Sequence, residues 1–255
     1  MYLHEAIYDL RELFRENLHM HTCKYSGCAK PDAILTDIIR AAEAAGLERI
    51  AITDHIGAEG EKVQSRVEDY RPIVEASGTK IQVLLGMEGS AYDVDKYTMM
   101  NCDFEPDYRL YATNHYHVQP WVQPEDRSPA GYKAHNRAVM ENVIRSGRCD
   151  CIAHPFVANY IFGKNPQWAA AGIGADALTQ CWTDNEVGEV MELGKRYECA
   201  FELHPSIVLG DPVFARRYFN LGREIGVVFN MGTDAHNLVN IPTMRLLEEY
   251  RRVLL

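Results

Sequence analysis

Asn17-Leu18-His19-Met20-His21-Thr22 is the stretch on which the reading of this chain turns. Two histidines one residue apart follow a short apolar lead-in. In a strand, residues i and i+2 face the same side, so His19 and His21 can aim both imidazoles at one ion from a strand end. On its own the pair is too small a donor set for a metal site. It reads equally well as two polar residues on a wet strand face, and the rest of the chain has to supply the other donors.

The same layout recurs downstream. Arg49-Ile50-Ala51-Ile52-Thr53-Asp54-His55 reads as a short buried strand ending in polar residues, and Lys80 to Leu85 as a strand terminated by Gly86-Met87-Glu88-Gly89. Tyr108 to Thr113 runs into Asn114-His115-Tyr116-His117, and Cys149 to Ala153 into His154-Pro155. Ala200 to Leu203 ends at His204, and Val227 to Met231 at Gly232-Thr233-Asp234-Ala235-His236. Between these strands lie helical stretches at Pro31–Ala45, Glu61–Ser77, Tyr132–Ser146, Asp184–Arg196 and Asp211–Ile225, with a first at Tyr2–Phe14 and a last at Thr243–Leu254. The helix at 31–45 keeps Ile34, Leu35, Ile38, Ile39 and Ala42 on one face, tolerates Pro31 in its first turn and stops at Gly46. Residues 92–107 read as irregular, and 156–180, with Gly163, Gly172 and Gly174, as a loop or lid.

Strand–helix alternation of this kind implies a parallel sheet with crossover helices. With no repeat or polar linker, residues 1–255 are expected to form one α/β domain of barrel length. Active sites of such barrels sit at the C-terminal ends of the strands. That is where the chemistry-bearing residues fall: His19, His21, His55, Glu88, His115, His154, His204, Asp234 and His236, which include seven of the ten histidines.

The composition is that of a soluble globular protein, 47% hydrophobic and 24% charged. A net charge of −10 argues against nucleic acid or an anionic membrane as the main partner, while leaving small anionic substrates open, since bound cations reverse the local sign. No run approaches the ~20 apolar residues of a membrane span, and Met1-Tyr2-Leu3-His4-Glu5 lacks a signal-peptide layout. Seven cysteines without framework spacing fit a reduced, cytoplasmic protein. Cys149-Asp150-Cys151 reads as the start of a buried strand.

Imidazole and carboxylate together suit zinc, iron or manganese. The donors are too many for one four-coordinate ion, so two or three divalent ions sharing ligands are expected, with Glu88 placed to bridge from the middle and Asp234 as its complement. His19-Met20-His21-Thr22, Thr53-Asp54-His55, Gly86-Met87-Glu88, His115, Ala153-His154-Pro155 and Gly232-Thr233-Asp234-Ala235-His236 resemble, in this order, the motifs of the PHP (polymerase and histidinol phosphatase) domain, from about residue 16 to 240. The resemblance implies a distorted (β/α)7 barrel with a metal centre at the C-terminal strand ends. It places His19, His21, Glu88 and Asp234 on one ion, Glu88, His115 and His154 on a second, and His55 and His236, with one residue of the loop after the first strand, on a third. It implies a phosphoesterase that hydrolyses phosphomonoesters with a metal-bound hydroxide.

Two places depart from the pattern. The loop Cys23-Lys24-Tyr25-Ser26-Gly27-Cys28-Ala29 has no His or Asp for the third ion. Cys28 falls nearest that slot and is either a substitute ligand, since thiolate binds zinc well, or a small residue beside a weak site. Where the family often has Glu-x-Asn, this chain has Glu202-Leu203-His204, and His204 is a substrate contact, an extra ligand or a hydrogen-bonding residue at the mouth. His117 is an outer partner or a substrate contact. His4 and His135 read as surface or packing residues, and Asp54 as a group that orients a ligand or caps a turn. Phosphate needs a cation or N–H besides metal, for which Lys24, Arg127, Lys133, Arg137 and Lys164 are candidates, Lys164 first.

The resulting expectation is a metal-dependent phosphatase for a small phosphorylated metabolite (histidinol phosphate, a sugar phosphate or a nucleotide), with Glu88 and Asp234 as its catalytic carboxylates and Asp234 also as proton carrier. A nucleic-acid phosphodiesterase or exonuclease is the alternative enzyme, opposed by the acidic charge. A metal-binding remnant without activity is the alternative that the altered 23–29 loop keeps open.

Overall fold

The computed structural model describes residues 2–57, 63–97, 105–119, 121–156, 174 and 176–255. The elements in chain order are α1 (Leu10–Leu13), β1 (Glu16–Met20), α2 (Leu35–Ala44), β2 (Arg49–Ile52), β3 (His55–Ile56), α3 (Val63–Ser77), β4 (Gln82–Leu85), β5 (Met87–Asp93) and β6 (Lys96–Tyr97). There follow β7 (Arg109–Ala112), α4 (Pro129–Arg145), β8 (Cys151–Ala153), α5 (Ala177–Cys181), α6 (Asp184–Arg196), β9 (Ala200–Leu203), α7 (Pro205–Val208), α8 (Pro212–Ile225), β10 (Phe229–Met231) and α9 (Leu247–Leu254).

Strands β1, β2 and β4 form one parallel sheet, and β10, β9, β8, β7, β5 and β3 another, with β6 antiparallel on the edge of β5. The sheets are continuous along the chain: β2 runs into β3 across Thr53-Asp54, and β4 into β5 across Gly86. The pairing path returns to its start where Met20 bridges Ala235, with His21 N–H donating to Ala235 O (2.9 Å) and Ala235 N–H to His19 O (3.0 Å). The result is a distorted α/β barrel, with seven parallel strand segments among the described residues. Ile50, Ala51 and Ile52 are buried, as expected of parallel strands covered on both faces. Leu18, Ala51, Leu110, Ala112, Cys151, Ala153 and Ala200 make an inner cluster. The outer layer is filled by the apolar stripes of the helices, such as Leu35, Ile38, Ile39 and Ala42 of α2.

Several boundaries differ from the sequence reading for identifiable reasons. Helix α2 begins at Leu35 instead of Pro31, because residues 30–33 serve the sheet: Lys30 N–H donates to His236 O (2.7 Å) and Cys23 N–H to Ala33 O (2.9 Å). The expected helix at 2–14 shrinks to α1; the preceding segment reaches across so that Tyr8 Oη can donate to Val227 O (2.9 Å). Gly86 breaks a strand and does not terminate it. A Cβ there would stand 2.5 Å from Tyr108 O, so the glycine marks a close strand approach, and the chain resumes as β5 through Asp93 and the β6 hairpin. Helix α7 was invisible in the pattern; it is one turn, capped by His204 and started by Pro205. No helix among the described residues is long and apolar enough to cross a membrane.

Candidate functional site

The register of the strands builds the site. His55 pairs with Glu88 across β3 and β5, and Glu88 lies opposite Leu110 of β7, which puts the carboxylate in the middle of the strand ends. Its Oε2 is 2.6 Å from His55 Nδ1 and 3.6 Å from Nε2 of both His19 and His21; its Oε1 is 3.3 Å from His154 Nε2 and 4.0 Å from His115 Nε2. These distances are those of ion pairs, yet neither Glu88 oxygen, nor His19 Nε2, has a protein partner in hydrogen-bonding geometry, and both residues are buried. Burial would raise the Glu88 pKa, but His55 and His19 beside it hold it well below the usual carboxylate range. Asp234 completes the group from beyond β10, its Oδ1 2.9 Å from His21 Nε2 and 3.3 Å from His19 Nε2. Asp234 and His154 sit at φ 51° and 29°, a left-handed backbone that costs about 1–3 kcal/mol at a non-glycine residue and clusters at functional sites.

The ligand-type atoms gather into sets within 4.8 Å of one another: His19, His21 and Glu88; His19, His154 and Asp234; Glu88, His115 and His154; and His21, His55 and His236. The structure therefore brings together nine sequence-predicted residues, Cys28 among them through its contact with His236, but shares His19 and His21 between sets more widely than the sequence pattern implied. His21 stacks against both His55 (ring centroids 4.2 Å apart) and His236 (4.4 Å), which are 5.8 Å from each other.

His19, His154, His236 and His21 are oriented through their second nitrogen, an arrangement that sets which nitrogen faces the centre. His19 Nδ1–H donates to Glu202 Oε1 (2.8 Å), and His154 Nδ1–H to Asn114 Oδ1 (3.1 Å). His236 Nδ1–H donates to the Asp234 carbonyl (2.8 Å). Ser26 gives its hydroxyl proton to Asp54 (2.7 Å), which frees its oxygen to accept from His21 Nδ1–H (3.3 Å). Asp54 also accepts from Thr22 and Tyr70, so it anchors the loop after β1. Glu202 and Asn114 escaped the sequence reading as orienting groups. The signal for Glu202 was its position at the end of a buried strand, two residues before His204.

His204 is set the other way round. As the cap of α7, its Nδ1 accepts the Ser206 backbone N–H (3.1 Å), which leaves the proton on Nε2. That Nε2 is buried without a partner, 5.5 Å ring to ring from His154. Burial lowers the His204 pKa to about 4, so the ring is neutral near pH 7.

A cavity of about 460 Å³ opens over the outer side, lined by Cys28, His55, Ser90, His115, His117, Trp121, Asp234 and His236 among others. No lysine or arginine lines it among the described residues. Of the basic candidates, Lys24 pairs with Asp69, Lys133 with Glu186 (2.6 Å), and Arg137 with Glu141 (2.8 Å) and Glu189. Arg127 is exposed and lies outside the cavity lining. Lys164 lies outside the described residues, as does most of the expected lid. His135 is a packing residue, bonded to Tyr116 Oη (2.7 Å), and His4 stands 3.3 Å from Glu16.

Comparison with known proteins adds family and fold. The PHP domain profile matches residues 17–169, more than half of the chain. A probable phosphatase of Aliivibrio fischeri (strain MJ11) is 28% identical over 132 residues, 48% of this chain and 44% of that protein, so the match spans less than half of the relative's length. A second probable phosphatase, from Aliivibrio fischeri (strain ATCC 700601 / ES114), is 24% identical over 244 residues, 91% of this chain and 84% of that one. In fold, the chain is similar to histidinol phosphate phosphatase of Lactococcus lactis subsp. lactis Il1403, whose structure holds zinc, L-histidinol and phosphate: the TM-score is 0.59 at 13% identity, over 92% of this chain and 93% of that one. With its profile matched over most of the chain and its residues at the strand ends, the protein belongs to the PHP domain family.

Proposed function

We propose that the protein is a metal-dependent phosphatase that hydrolyses a small phosphomonoester, holding two or three divalent ions of zinc, iron or manganese at the strand ends. The observation that carries this reading is Glu88: a buried carboxylate ringed by five imidazoles, with neither oxygen in hydrogen-bonding geometry to any of them. Buried polar atoms are ordinarily satisfied, and convergent orphan lone pairs of mixed nitrogen and oxygen donors fit metal ions. His19, His21, Glu88 and Asp234 would hold one ion, Glu88, His115 and His154 a second, and His55 and His236, with His21 against them, a third. Bound there, the ions would neutralise phosphate charge and bring the pKa of a water toward neutrality.

The chain's own groups do the rest. Asp234, the most exposed carboxylate of the centre, carries a proton between site and cavity, while Glu88 stays ionised under its imidazoles. His204 Nε2–H is a buried donor without a partner, and the role we assign to it is to bind a phosphate oxygen and stabilise the charge that develops there. His117 and Trp121 form the cavity wall against which the alcohol part of the substrate rests, and Lys164 is proposed as a further phosphate partner. The buried free thiols of Cys149 and Cys199, hydrogen-bonded at 3.5 Å, suit a reducing compartment and support a cytoplasmic location.

The test is phosphate release by metal-reconstituted protein from a panel of histidinol, sugar and nucleotide monophosphates, run beside single-stranded DNA, with metal content measured on the same sample. Hydrolysis of a monophosphate that is lost in Asp234→Asn is the expected result. Fewer than about two ions per chain together with no phosphate release would overturn the reading, and DNA cleavage alone would replace it with a nuclease.

A further inference from the structure

We infer that Cys28 contributes a thiolate to the outermost metal position, and that this position therefore prefers a thiophilic ion, zinc or cobalt, over manganese. The inference rests on the metal-dependent reading above and concerns one ligand of it.

The loop that carries Cys28 is fastened on both sides to the segments that carry the imidazoles. Two residues before it, Ser26 is held by Asp54 (2.7 Å) and accepts the backbone N–H of His55 (3.1 Å). Two residues after it, Lys30 N–H donates to the carbonyl of His236 (2.7 Å). With both flanks tied, the Cys28 side chain is delivered to the gap between His55 and His236. Its Sγ lies 3.0 Å from His236 Nε2, and it lines the same cavity as His55.

The chemistry of that contact is that of a ligand pair sharing a proton. His236 Nδ1–H is committed to the Asp234 carbonyl, which can only accept, so Nε2 is the ring atom that shares a proton with Cys28 Sγ. A divalent ion entering the gap would take the place of that proton: the bond that holds it to sulfur or nitrogen breaks, the ion binds both atoms, and the proton leaves to solvent. His21 completes the surroundings from beneath, stacked at 4.2 and 4.4 Å against the two rings. Two or three imidazoles with one thiolate form a nitrogen–sulfur set of the zinc type. The inner sets consist of imidazole and carboxylate alone, which zinc, iron and manganese all accept. The soft ligand thus divides one centre into positions of different metal preference. It does so at the position nearest substrate, since Cys28, His55, Asp234 and His236 all line the cavity.

Cobalt loading of the full chain tests this, because a thiolate ligand gives a sulfur-to-cobalt charge-transfer band in the near ultraviolet whatever the activity. The band is expected in the wild type and in Cys23→Ser, whose thiol points to the Pro31 carbonyl, and absent in Cys28→Ser. In zinc–manganese competition, Cys28→Asp is expected to lower the preference for zinc at one position by about 10–100-fold, the usual scale for altering a metal's immediate surroundings. Cys28 is exposed, so these variants fold, and a circular-dichroism spectrum verifies it. Visible cobalt d–d bands without the sulfur band, or a sulfur band that survives Cys28→Ser, would overturn the inference while leaving the metal-dependent reading intact. A wild type that takes up no cobalt, zinc or manganese would overturn both.

Discussion

The inner and outer halves of the histidine cluster are built from the same residue types and held by different means. In the inner half, His19 and His154 are fully buried, and each is oriented by a side chain from another strand or its exit, Glu202 and Asn114. In the outer half, His236 is held by a carbonyl two residues back, and His55 and His236 reach the cavity beside the exposed Cys28. Nonlocal partners over-determine the inner geometry, at a cost visible in the left-handed backbone of His154 and Asp234. Local partners leave the outer half open to the cavity. A preorganised set of inner donors and an adaptable rim are what a hydrolase needs when one centre must hold ions firmly and release product.

The contrast can be broken at the residue both halves share. Glu88→Ala is expected to lower phosphate release by on the order of 10³-fold or more, since a metal clamp is worth several kcal/mol and each 1.4 kcal/mol is tenfold; metal content should fall with it. Retention of full hydrolysis would be disqualifying. Gly232→Ala attacks the inner half alone. Its Cβ would stand 1.9 Å from Glu202 Oε1 and 2.8 Å from His19 Cβ, so a loss of about 1–3 kcal/mol in stability is expected from overpacking, read by denaturant melts, with weakened metal retention. Removing the lone donor tests a different feature: His204→Ala should cost about 10²-fold in kcat, in the range of a single oxyanion donor, while metal content stays unchanged, and His204→Asn should recover part of it. If metal is lost instead, His204 is a ligand and the tautomer argument fails.

Smaller effects separate orientation from contact. Glu202→Gln keeps the shape and removes the charge beside His19, and should cost about 10–100-fold in metal affinity, measured by chelator competition, with the fold intact. On the rim, Trp121→Ala is expected to raise KM several-fold with kcat little changed, the signature of lost uniform binding. An equal fall in kcat would move Trp121 from the cavity wall into the reaction.

Much of the fold and of the candidate site was legible because parallel barrels concentrate two signals in one place. Strands such as Arg49–Ile52 and Ala200–Leu203 are covered on both faces, so they appear as short apolar runs, and function sits where the runs stop. His19, His21, His55, His154, His204, Asp234 and His236 were found in that way. Less visible were features set by contacts between distant segments: the continuation of β4 into β5 beyond Gly86, the late start of α2, and the one-turn helix after His204. The basic candidates show the limit of local reading most clearly. Lys133 and Arg137 share a helix with no marker in sequence, and only the packing of α4 beside α6 commits them to Glu186 and Glu189.

By itself, then, the sequence determined the order of strands and helices and which residue types stand at the strand ends, since burial period and chain polarity are local properties. Which nitrogen of each histidine is turned to the centre was decided only by tertiary structure, because it depends on partners far away in the chain: Glu202 for His19, Asn114 for His154, the pinned Ser26 for His21. The same holds for the placement of Cys28 against His236, which follows from a loop tied at Ser26 to one strand end and at Lys30 to another.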